Sequence, residues 1–157
     1  IILRYFNVAG ADIRLRSGLI SKKKSTHLIK KLCENFLKNE KIKIYGSDYP
    51  SKDGTAIRDY IHVVDLAIAH IYAAKYLNKN KSSLILNCGY GHGYSVKEVI
   101  DSFNSLNKKK LSYSYSTRRI GDIFSLIADN QLIKKKIGWK PKHDSLKEIL
   151  KSQKQSR

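Results

Sequence analysis

Short apolar runs and helix-spaced apolar positions alternate along this chain. Five runs are continuously apolar or alternate apolar with polar residues, as strands do: residues 1–6, 42–45, 60–63, 84–87 and 111–116. Elsewhere, apolar residues recur three or four positions apart, which predicts helices over residues 28–36, 66–77, 96–106, about 130–137 and a short stretch after Ser145. The alternation of strands and helices predicts an α/β fold.

Capping residues mark where several of these helices are expected to begin. Asp65 and Asp129 each precede a helical pattern and are predicted N-caps, because a carboxylate accepts hydrogen bonds from the free amides of a first turn. Ser95 and Ser145 are each followed three residues later by Glu, which is the capping-box pattern. The tail from about residue 152 is expected to be frayed and disordered.

The first predicted strand has an unusual setting. Residues 1–6 form a β-rich run with no turn before it, which is typical of an interior strand of a parallel sheet. The chain begins at Ile1 and contains no methionine. These features together predict a fragment, or a truncated gene product, whose earlier strands are absent. The unpaired edge that results is an expected aggregation liability.

Composition limits the possible classes of protein. With 157 residues and 41% hydrophobic content, the chain can form one domain with a core. No apolar run approaches the ~18 residues of a transmembrane helix, so no membrane partner is expected. Cys33 and Cys88 lack partners at metal-binding spacing and are interpreted as reduced thiols of a cytoplasmic protein.

The formal charge of +18 raises the possibility of nucleic-acid binding. The lysine runs, however, have no interleaved aromatic residues to stack on bases. We therefore expect most of this charge to be solvated and no nucleic acid to be bound. A positive field would also attract a small anion such as a nucleotide.

Three segments carry the candidate chemistry. Residues 46–65 (GSDYPSKDGTAIRDYIHVVD) place turn formers before a short strand, with Arg58 between them. A guanidinium held there is well placed to meet a phosphate. Residues 3–10 read LRYFNVAG, and residues 118–122 read RRIGD. Together these segments resemble the UDP-glucose 4-epimerase family of extended short-chain dehydrogenase/reductases. The resemblance covers nearly the whole chain but only the C-terminal half of such an enzyme.

This resemblance implies a fold and a division of the chain. The fold would be the C-terminal part of an NAD(P)-binding Rossmann-like epimerase, with its small substrate-binding domain and without the N-terminal nucleotide-binding strands. Residues 1–10 and roughly 57–80 would belong to the edge of the Rossmann-like sheet.

The resemblance also implies binding roles for particular residues. Asn7, Arg58 and Arg119 would meet the phosphates of a UDP-sugar, and the Asp122 carboxylate would accept hydrogen bonds from the ribose hydroxyls. Phe6 is similar to the family residue near the nicotinamide of NAD. The structural alternatives are that Asn7 is a loop residue that caps its own backbone and that Arg58 pairs with Asp59, Asp53 or Asp48, but the surrounding motifs favour binding for both. By contrast, Asp59 and His62 are expected to support the fold.

Further site residues follow from the same resemblance. Lys43, Ile44 and Tyr45 would lie along the uracil, although an edge strand with a half-buried tyrosine explains the same residues. His27 and Leu28 match a loop that contacts the nucleotide sugar, and Leu126 stands where the family adjusts pocket size at the sugar 2-position. The first of these loops departs from the family pattern, with Lys30 in place of proline and Ser21 in place of glutamate.

No catalytic residue is predicted in this chain. The family uses a Tyr-x-x-x-Lys pair, and none of the ten tyrosines has a lysine four residues later. The glycines of the segment GYGHG, residues 89–93, are spaced differently from a dinucleotide fingerprint, so this segment is interpreted as a structural turn. NAD is therefore the expected cofactor of the intact enzyme and not of this chain alone.

The leading interpretation is the UDP-sugar-binding half of a UDP-glucose 4-epimerase. The intact enzyme would interconvert UDP-glucose and UDP-galactose through an NAD-dependent 4-keto intermediate. A missing N-terminal half is a possible partner, and intact members are often homodimers. The alternatives are a sister enzyme acting on UDP-glucuronate, UDP-xylose or UDP-N-acetylglucosamine, a non-catalytic gene remnant and a nucleic-acid-binding protein.

Overall fold

Strands and helices alternate through most of the chain. The structure, a computed structural model, describes residues 1–14, 16, 18 and 25–155. The strands are β1 Ile2–Tyr5, β2 Asn7–Ala9, β3 Ile42–Tyr45, β4 Ile57–Arg58, β5 Tyr60–His62, β6 Ile85–Cys88, β7 Tyr94–Ser95, β8 Tyr113–Ser116 and β9 Ser125–Leu126. The helices are α1 Leu28–Lys38, α2 Val63–Asn80, α3 Val96–Ser105, α4 Gln131–Ile137 and α5 Leu146–Gln155. The predicted α/β class is confirmed.

The strand pairs are mostly parallel. β1 pairs with β6, β2 with β5, and β3 with β8, all in parallel register. β4 lies between β7, to which it is antiparallel, and β9, to which it is parallel. Because parallel neighbours need long crossovers, residues far apart in sequence meet at these pairs.

One hydrophobic core joins the helices to these strands. Helices α1, α3 and α5 contact one another, and α4 packs on β6. The largest fully buried side chains include Trp139, Phe103, Leu32 and Ile61. Trp139 also donates its indole N–H to the backbone oxygen of Asp65, at 3.1 Å, so its polar atom is satisfied inside the core.

Helix α2 begins earlier than expected, and its cap differs. The N-cap is His62, whose Nδ1 accepts from the backbone amide of Val64 at 3.2 Å. The predicted N-cap, Asp65, lies inside the first turn and is fully buried. Its carboxylate accepts from the Tyr90 hydroxyl at 2.7 Å and from the amide of His143 at 2.8 Å. The prediction for Asp65 was wrong because long-range donors, which local sequence does not show, occupy this carboxylate.

The other caps follow the sequence more closely. The full capping box of Ser95 and Glu98 is present at the start of α3, as predicted. Ser145 accepts from the amide of Glu148 at 3.4 Å, but the Glu148 carboxylate turns to His143 instead of closing the box. Asp129 accepts from the first amide of α4 at 3.1 Å, although Asn130 holds the N-cap position.

The C-terminal segment also differs from expectation. Helix α5 continues to Gln155, and Ser152 and Gln153 are buried. The Ser152 hydroxyl accepts from the amide of Ala11 at 3.2 Å and lies 3.1 Å from His62 Nε2. The expected fraying from about residue 152 is therefore wrong for residues 152–155, because contacts with the N-terminal segment hold the last turn in place.

Asp59 supports the fold, as expected. Its buried carboxylate accepts from the backbone amides of Tyr90, Gly91 and Ala128, at 2.9–3.2 Å. A Cβ on Gly89 would lie 2.6 Å from Asp59, so only glycine allows this close approach.

Strand β1 presents an open edge. Among the described residues it pairs with β6 alone, and Ile2 and Tyr5 are more than half exposed. Both cysteines are free and buried, and burial raises the pKa of the Cys88 thiol to about 12. No helix in the described part of the chain is long and apolar enough to cross a membrane.

Candidate functional site

A cavity of about 400 Å³ opens where segments from distant parts of the chain meet. Its walls come from β2, the start of α1, β3, β4, the start of β5 and the loop after β8. The lining residues are Asn7, Val8, Ala9, Ser25, Thr26, His27, Leu28, Ile29, Lys30, Lys31, Ile42, Lys43, Tyr45, Ala56, Arg58, Tyr60, Val96, Arg119, Asp122 and Gln153.

Most residues singled out from the sequence line this one cavity. They are Asn7, His27, Leu28, Lys43, Tyr45, Arg58, Arg119 and Asp122. Three others do not line it. Ile44 is fully buried in the core, because the side chains of β3 alternate between core and surface. Phe6 and Leu126 lie outside the cavity lining, and Leu126 is 43% exposed.

Arg58 is held in place from several sides. It lies on β4, the middle strand of its sheet, and its side chain is only 17% exposed. One terminal nitrogen donates to the backbone oxygen of Ile57 at 2.8 Å, and the other contacts Asp122 Oδ1 at 2.5 Å. A guanidinium fixed by backbone and carboxylate acceptors is preorganised to bind a ligand oxygen with its remaining N–H groups.

The ion-pair partner of Arg58 is not one of those considered from the sequence. Asp122, 64 residues away in sequence, takes that position. The candidates have other contacts, since Asp59 binds turn amides and Asp53 accepts from Thr55 and Ser95. Asp48 pairs with Arg118, at 2.7 Å.

Arg119 approaches the same carboxylate from the loop after β8. Its terminal nitrogen lies 3.1 Å from Asp122 Oδ2, and its guanidinium lies 4.8 Å from the centre of the Tyr45 ring. The side chain is 59% exposed, so this pair is much more open to solvent than the pair of Arg58. Asp122 therefore bridges two arginines, one on each of its oxygens.

Another part of the cavity wall is formed by the start of α1. His27 is the N-cap, but its side chain makes no capping bond, and the first turn contains no acidic residue. The free amides and positive dipole end of α1 therefore remain available for a negative group. Lys30 and Lys31 line this side, and their ammonium groups make no hydrogen bond or ion pair with any described residue. Ser21 lies outside the described residues.

Several lining residues were missed by the sequence reasoning. Gln153 comes from the helix end that was expected to be frayed, so no local signal pointed to it. Tyr60 belongs to the strand after Arg58, and burial raises the pKa of its phenol far above the usual value, which keeps it neutral. Ser25, Thr26 and Lys31 flank the predicted pair His27 and Leu28, and extending that pair in both directions would have found them.

The described residues do not fit a complete NAD site. In the glycine-rich turn at residues 89–93, the backbone amides of Tyr90 and Gly91 are occupied, because both donate to the Asp59 carboxylate. A cofactor pyrophosphate needs such amides free. We therefore derive no chemical step through NAD in this chain.

The lining of the cavity carries an excess of positive charge. Among the described residues, the lining carries one carboxylate, that of Asp122, and five cationic side chains: Lys30, Lys31, Lys43, Arg58 and Arg119. Apolar and aromatic residues complete the walls, including Val8, Leu28 and Tyr45. Such a mixture suits a ligand with both a charged group and a flat ring.

Comparisons with known proteins identify the family of this chain. Residues 1–89 match the model of the NAD dependent epimerase/dehydratase family. The chain is 45% identical over 153 residues to a UDP-glucose 4-epimerase of Azospirillum brasilense, covering 97% of this chain and 44% of the relative. The chain thus spans less than half the length of this relative.

Solved structures show the same correspondence. A UDP-glucose-4-epimerase from Stenotrophomonas maltophila, with bound NAD and formylated UDP-arabinopyranose, superposes with a TM-score of 0.94 at 34% identity. It covers 98% of this chain and 46% of that structure. The UDP-Glc/GlcNAc 4-epimerase of Campylobacter jejuni is 44% identical to this chain, with a TM-score of 0.80. The match covers 99% of this chain and 47% of the Campylobacter jejuni chain. The Rossmann-like fold expected from the sequence is thereby confirmed, and the chain belongs to the NAD dependent epimerase/dehydratase family.

Proposed function

We propose that this chain is the nucleotide-sugar-binding portion of a UDP-glucose 4-epimerase, and that its cavity binds the uridine diphosphate of the sugar nucleotide. One observation carries the proposal: Asn7, Arg58 and Arg119, from three distant segments, line one cavity. Each was singled out by a separate motif, so their meeting is not a consequence of sequence proximity.

A diphosphate fits the charges of this cavity. Burying its two negative groups requires cationic donors, and guanidinium groups supply paired, charge-assisted hydrogen bonds. Arg58 and Arg119 already share one carboxylate, which sets their guanidinium groups close together. The side-chain amide of Asn7 and the backbone amides in the first turn of α1 add neutral donors.

The remaining residues suit a nucleoside. Tyr45 offers an aromatic side chain and Lys43 the backbone of a strand along which a base can lie. Asp122 is a natural acceptor for ribose hydroxyls. In this proposal Asp122 has two tasks, since it also orients both arginines. Phe6 and Leu126, outside the cavity lining, are assigned no contact with UDP.

Epimerisation itself is not assigned to this chain alone. Inverting the configuration at the sugar C4 needs a base and a hydride acceptor. The sequence contains no Tyr-x-x-x-Lys pair to supply the base. We infer that this chain holds the nucleotide and that a separate portion of the intact enzyme supplies the chemistry and binds NAD. A homodimer, and the placing of residues 1–10 and 57–80 at a sheet edge, remain predictions.

Specificity for UDP-N-acetylglucosamine is the second candidate. The Campylobacter jejuni protein, named for both UDP-Glc and GlcNAc, is 44% identical to this chain. Leu126 is of middling size and lies outside the cavity lining, so it sets no limit on the 2-substituent within the described site. Binding of the two sugar nucleotides side by side would distinguish the candidates.

Isothermal titration of the 157-residue chain with UDP tests the proposal. We expect saturable, salt-sensitive binding with a dissociation constant on the order of 0.1–1 mM, because the chain spans only 44% of the length of the Azospirillum brasilense relative. Arg58→Gln should abolish it. Arg4→Gln, which changes an exposed arginine outside the cavity, should not.

Two results would contradict the proposal. A chain that is folded but gives no saturable heat with UDP favours a non-catalytic remnant. Equal affinity for UDP and for a random oligonucleotide favours nucleic-acid binding.

A further inference from the structure

The loop between β8 and β9 carries two of the proposed contacts to UDP. Residues 117–124 include both Arg119 and Asp122, and a backbone hydrogen bond from the amide of Asp122 to the oxygen of Arg119 forms a turn within it. The outer side of this loop is exposed, with Ile120 fully exposed and Ile123 57% exposed. Core packing of those two side chains therefore does not fix the loop.

Two neighbouring arginines in this loop point to different places. Arg119 lines the cavity and lies over Tyr45. Arg118 does not line the cavity, and its guanidinium lies 4.0 Å from the centre of the Tyr49 ring. Arg118 also donates to Asp48 twice, to the carboxylate at 2.7 Å and to the backbone oxygen at 2.6 Å. Identical side chains thus have separate environments.

Tyr49 contacts both ends of the loop. Arg118 lies over its ring near the start, and Phe124 stacks on it near the end, with ring centres 6.2 Å apart and planes 20° apart. The ring itself is 4% exposed. Its hydroxyl is buried and has no hydrogen-bond partner among the described residues, so the ring faces, and not the hydroxyl, make the contacts.

The turn beneath Tyr49 holds the ring in one position. The amide of Tyr49 donates to the oxygen of Gly54 at 3.0 Å. Gly46 and Gly54 have φ of +84° and +78°, and a Cβ on Gly54 would lie 2.2 Å from the oxygen of Ser47. Only glycine fits these positions without strain. The ring therefore stands on a rigid turn that belongs to the same segment as Arg58.

We propose that Tyr49 and Arg118 are positioning residues, which hold the loop of residues 117–124 so that Arg119 and Asp122 face the nucleotide. Neither residue lines the cavity. The inference rests on the proposed function, since it assigns these residues to the binding of the same UDP. Its physical basis is preorganisation: a loop already fixed in the bound conformation loses less entropy when the ligand binds.

Two substitutions at Tyr49 test whether its aromatic ring positions the loop of residues 117–124. Tyr49→Leu removes the ring and should weaken UDP binding by about tenfold, the effect of losing one cation–π contact and the order it imposes. Tyr49→Phe keeps both ring faces and loses only the unpartnered hydroxyl, so its affinity should stay within about twofold of the parent chain. Isothermal titration, on samples shown by circular dichroism to be folded, measures both.

A double-mutant cycle tests whether Arg118 acts through Arg119. Arg118→Gln alone should weaken UDP binding by about fivefold, and by less than about twofold when Arg119→Gln is already present. A residue that only stabilises the fold would instead lower the melting temperature and leave the affinity of the folded chain unchanged. Arg118→Lys keeps the charge but not the planar fork, and we expect it to restore little affinity.

The outcomes are distinct. A parent chain that fails to bind UDP overturns the proposed function and this inference together. A parent that binds, with unchanged affinity in folded Tyr49→Leu and Arg118→Gln chains, overturns only the positioning role, and so do additive effects of the two arginine substitutions. If Tyr49→Leu does not fold, the double-mutant cycle of Arg118→Gln and Arg119→Gln tests the positioning role by itself. The Arg118 side chain is 44% exposed, so its loss leaves the core intact.

Discussion

The two walls of the cavity are built differently. The turn wall, residues 46–58 with the loop of residues 117–124, is a network of side chains bonded to one another. The helix wall, residues 25–31, presents an uncapped helix start and lysines with no partner among the described residues. The turn wall therefore sets its charges before a ligand arrives, whereas the helix wall must order its lysines on binding. Preorganised charges stabilise a ligand more strongly than flexible ones do.

The largest effect on stability is expected from Asp59, which supports the turn wall. Asp59→Ala removes the carboxylate that follows Arg58 and leaves three backbone amides without an acceptor. We expect the free energy of unfolding to fall by about 3 kcal/mol or more. Urea denaturation followed by circular dichroism measures this. Asp101→Ala, at an exposed i,i+4 pair with Lys97, should cost less than about 0.5 kcal/mol.

Arg58→Lys tests whether the geometry of the turn wall matters beyond its charge. The ammonium keeps the charge but cannot contact Asp122, the Ile57 oxygen and a phosphate together as the guanidinium can. We expect UDP affinity to fall by about tenfold, with little loss of stability. Affinity equal to that of the parent chain would show that the preorganised fork contributes nothing.

Lowering the pH should destabilise the turn wall through Asp53. Burial disfavours the charged form of Asp53, but hydrogen bonds from Ser95 and Thr55 outweigh burial and hold the pKa of this carboxyl below its usual value of 3.8. Because the folded-state pKa is lowered, the stabilisation is present above pH 3.8 and is lost as the pH falls through the lower folded-state value.

Melting temperatures at decreasing pH measure this contribution. Asp53→Asn should flatten part of the decline below pH 3.8. Asp101→Asn, on the exposed face of α3, serves as the matched control. If the melting temperature falls with pH in the same way for the parent and both variants, the pKa of Asp53 does not differ between the folded and unfolded chain, and the prediction is wrong.

The smallest effects are expected on the helix wall. Lys30→Gln and Lys31→Gln each remove one flexible cation, and UDP affinity should fall by less than about threefold for each. Lys41→Gln, at an exposed lysine outside the cavity lining, provides the background value. If Lys30→Gln or Lys31→Gln lowered UDP affinity as much as Arg58→Lys, the charges of the helix wall would matter as much as those of the turn wall, contrary to this prediction.

The sequence predicted the five helices and the strands β1, β3, β5, β6 and β8, because these depend on local pattern, and it missed the two- and three-residue strands β2, β4, β7 and β9. β3 matches its prediction in full, and the box at Ser95 is where the spacing placed it. Asn7, Arg58 and Arg119 were found because each lies in a distinctive motif. Their common cavity required the fold.

What the sequence did not show depends on contacts between distant residues. Asp65 looked like a cap, yet donors from Tyr90 and His143 bury it. The pair of Arg58 and Asp122 spans 64 residues and carries no local signal. Gln153 reaches the cavity because α5 packs on α1 and α3, which no pattern within the last helix could reveal.

The most direct test of the central claim is phosphorus NMR of UDP in the presence of this chain. We predict that both phosphate signals shift or broaden as protein is added. The effect should be retained in Arg4→Gln and lost in the double variant Arg58→Gln, Arg119→Gln. Phosphate signals that do not change with the folded parent chain, or that change equally with the double variant, would contradict a diphosphate site formed by these two arginines.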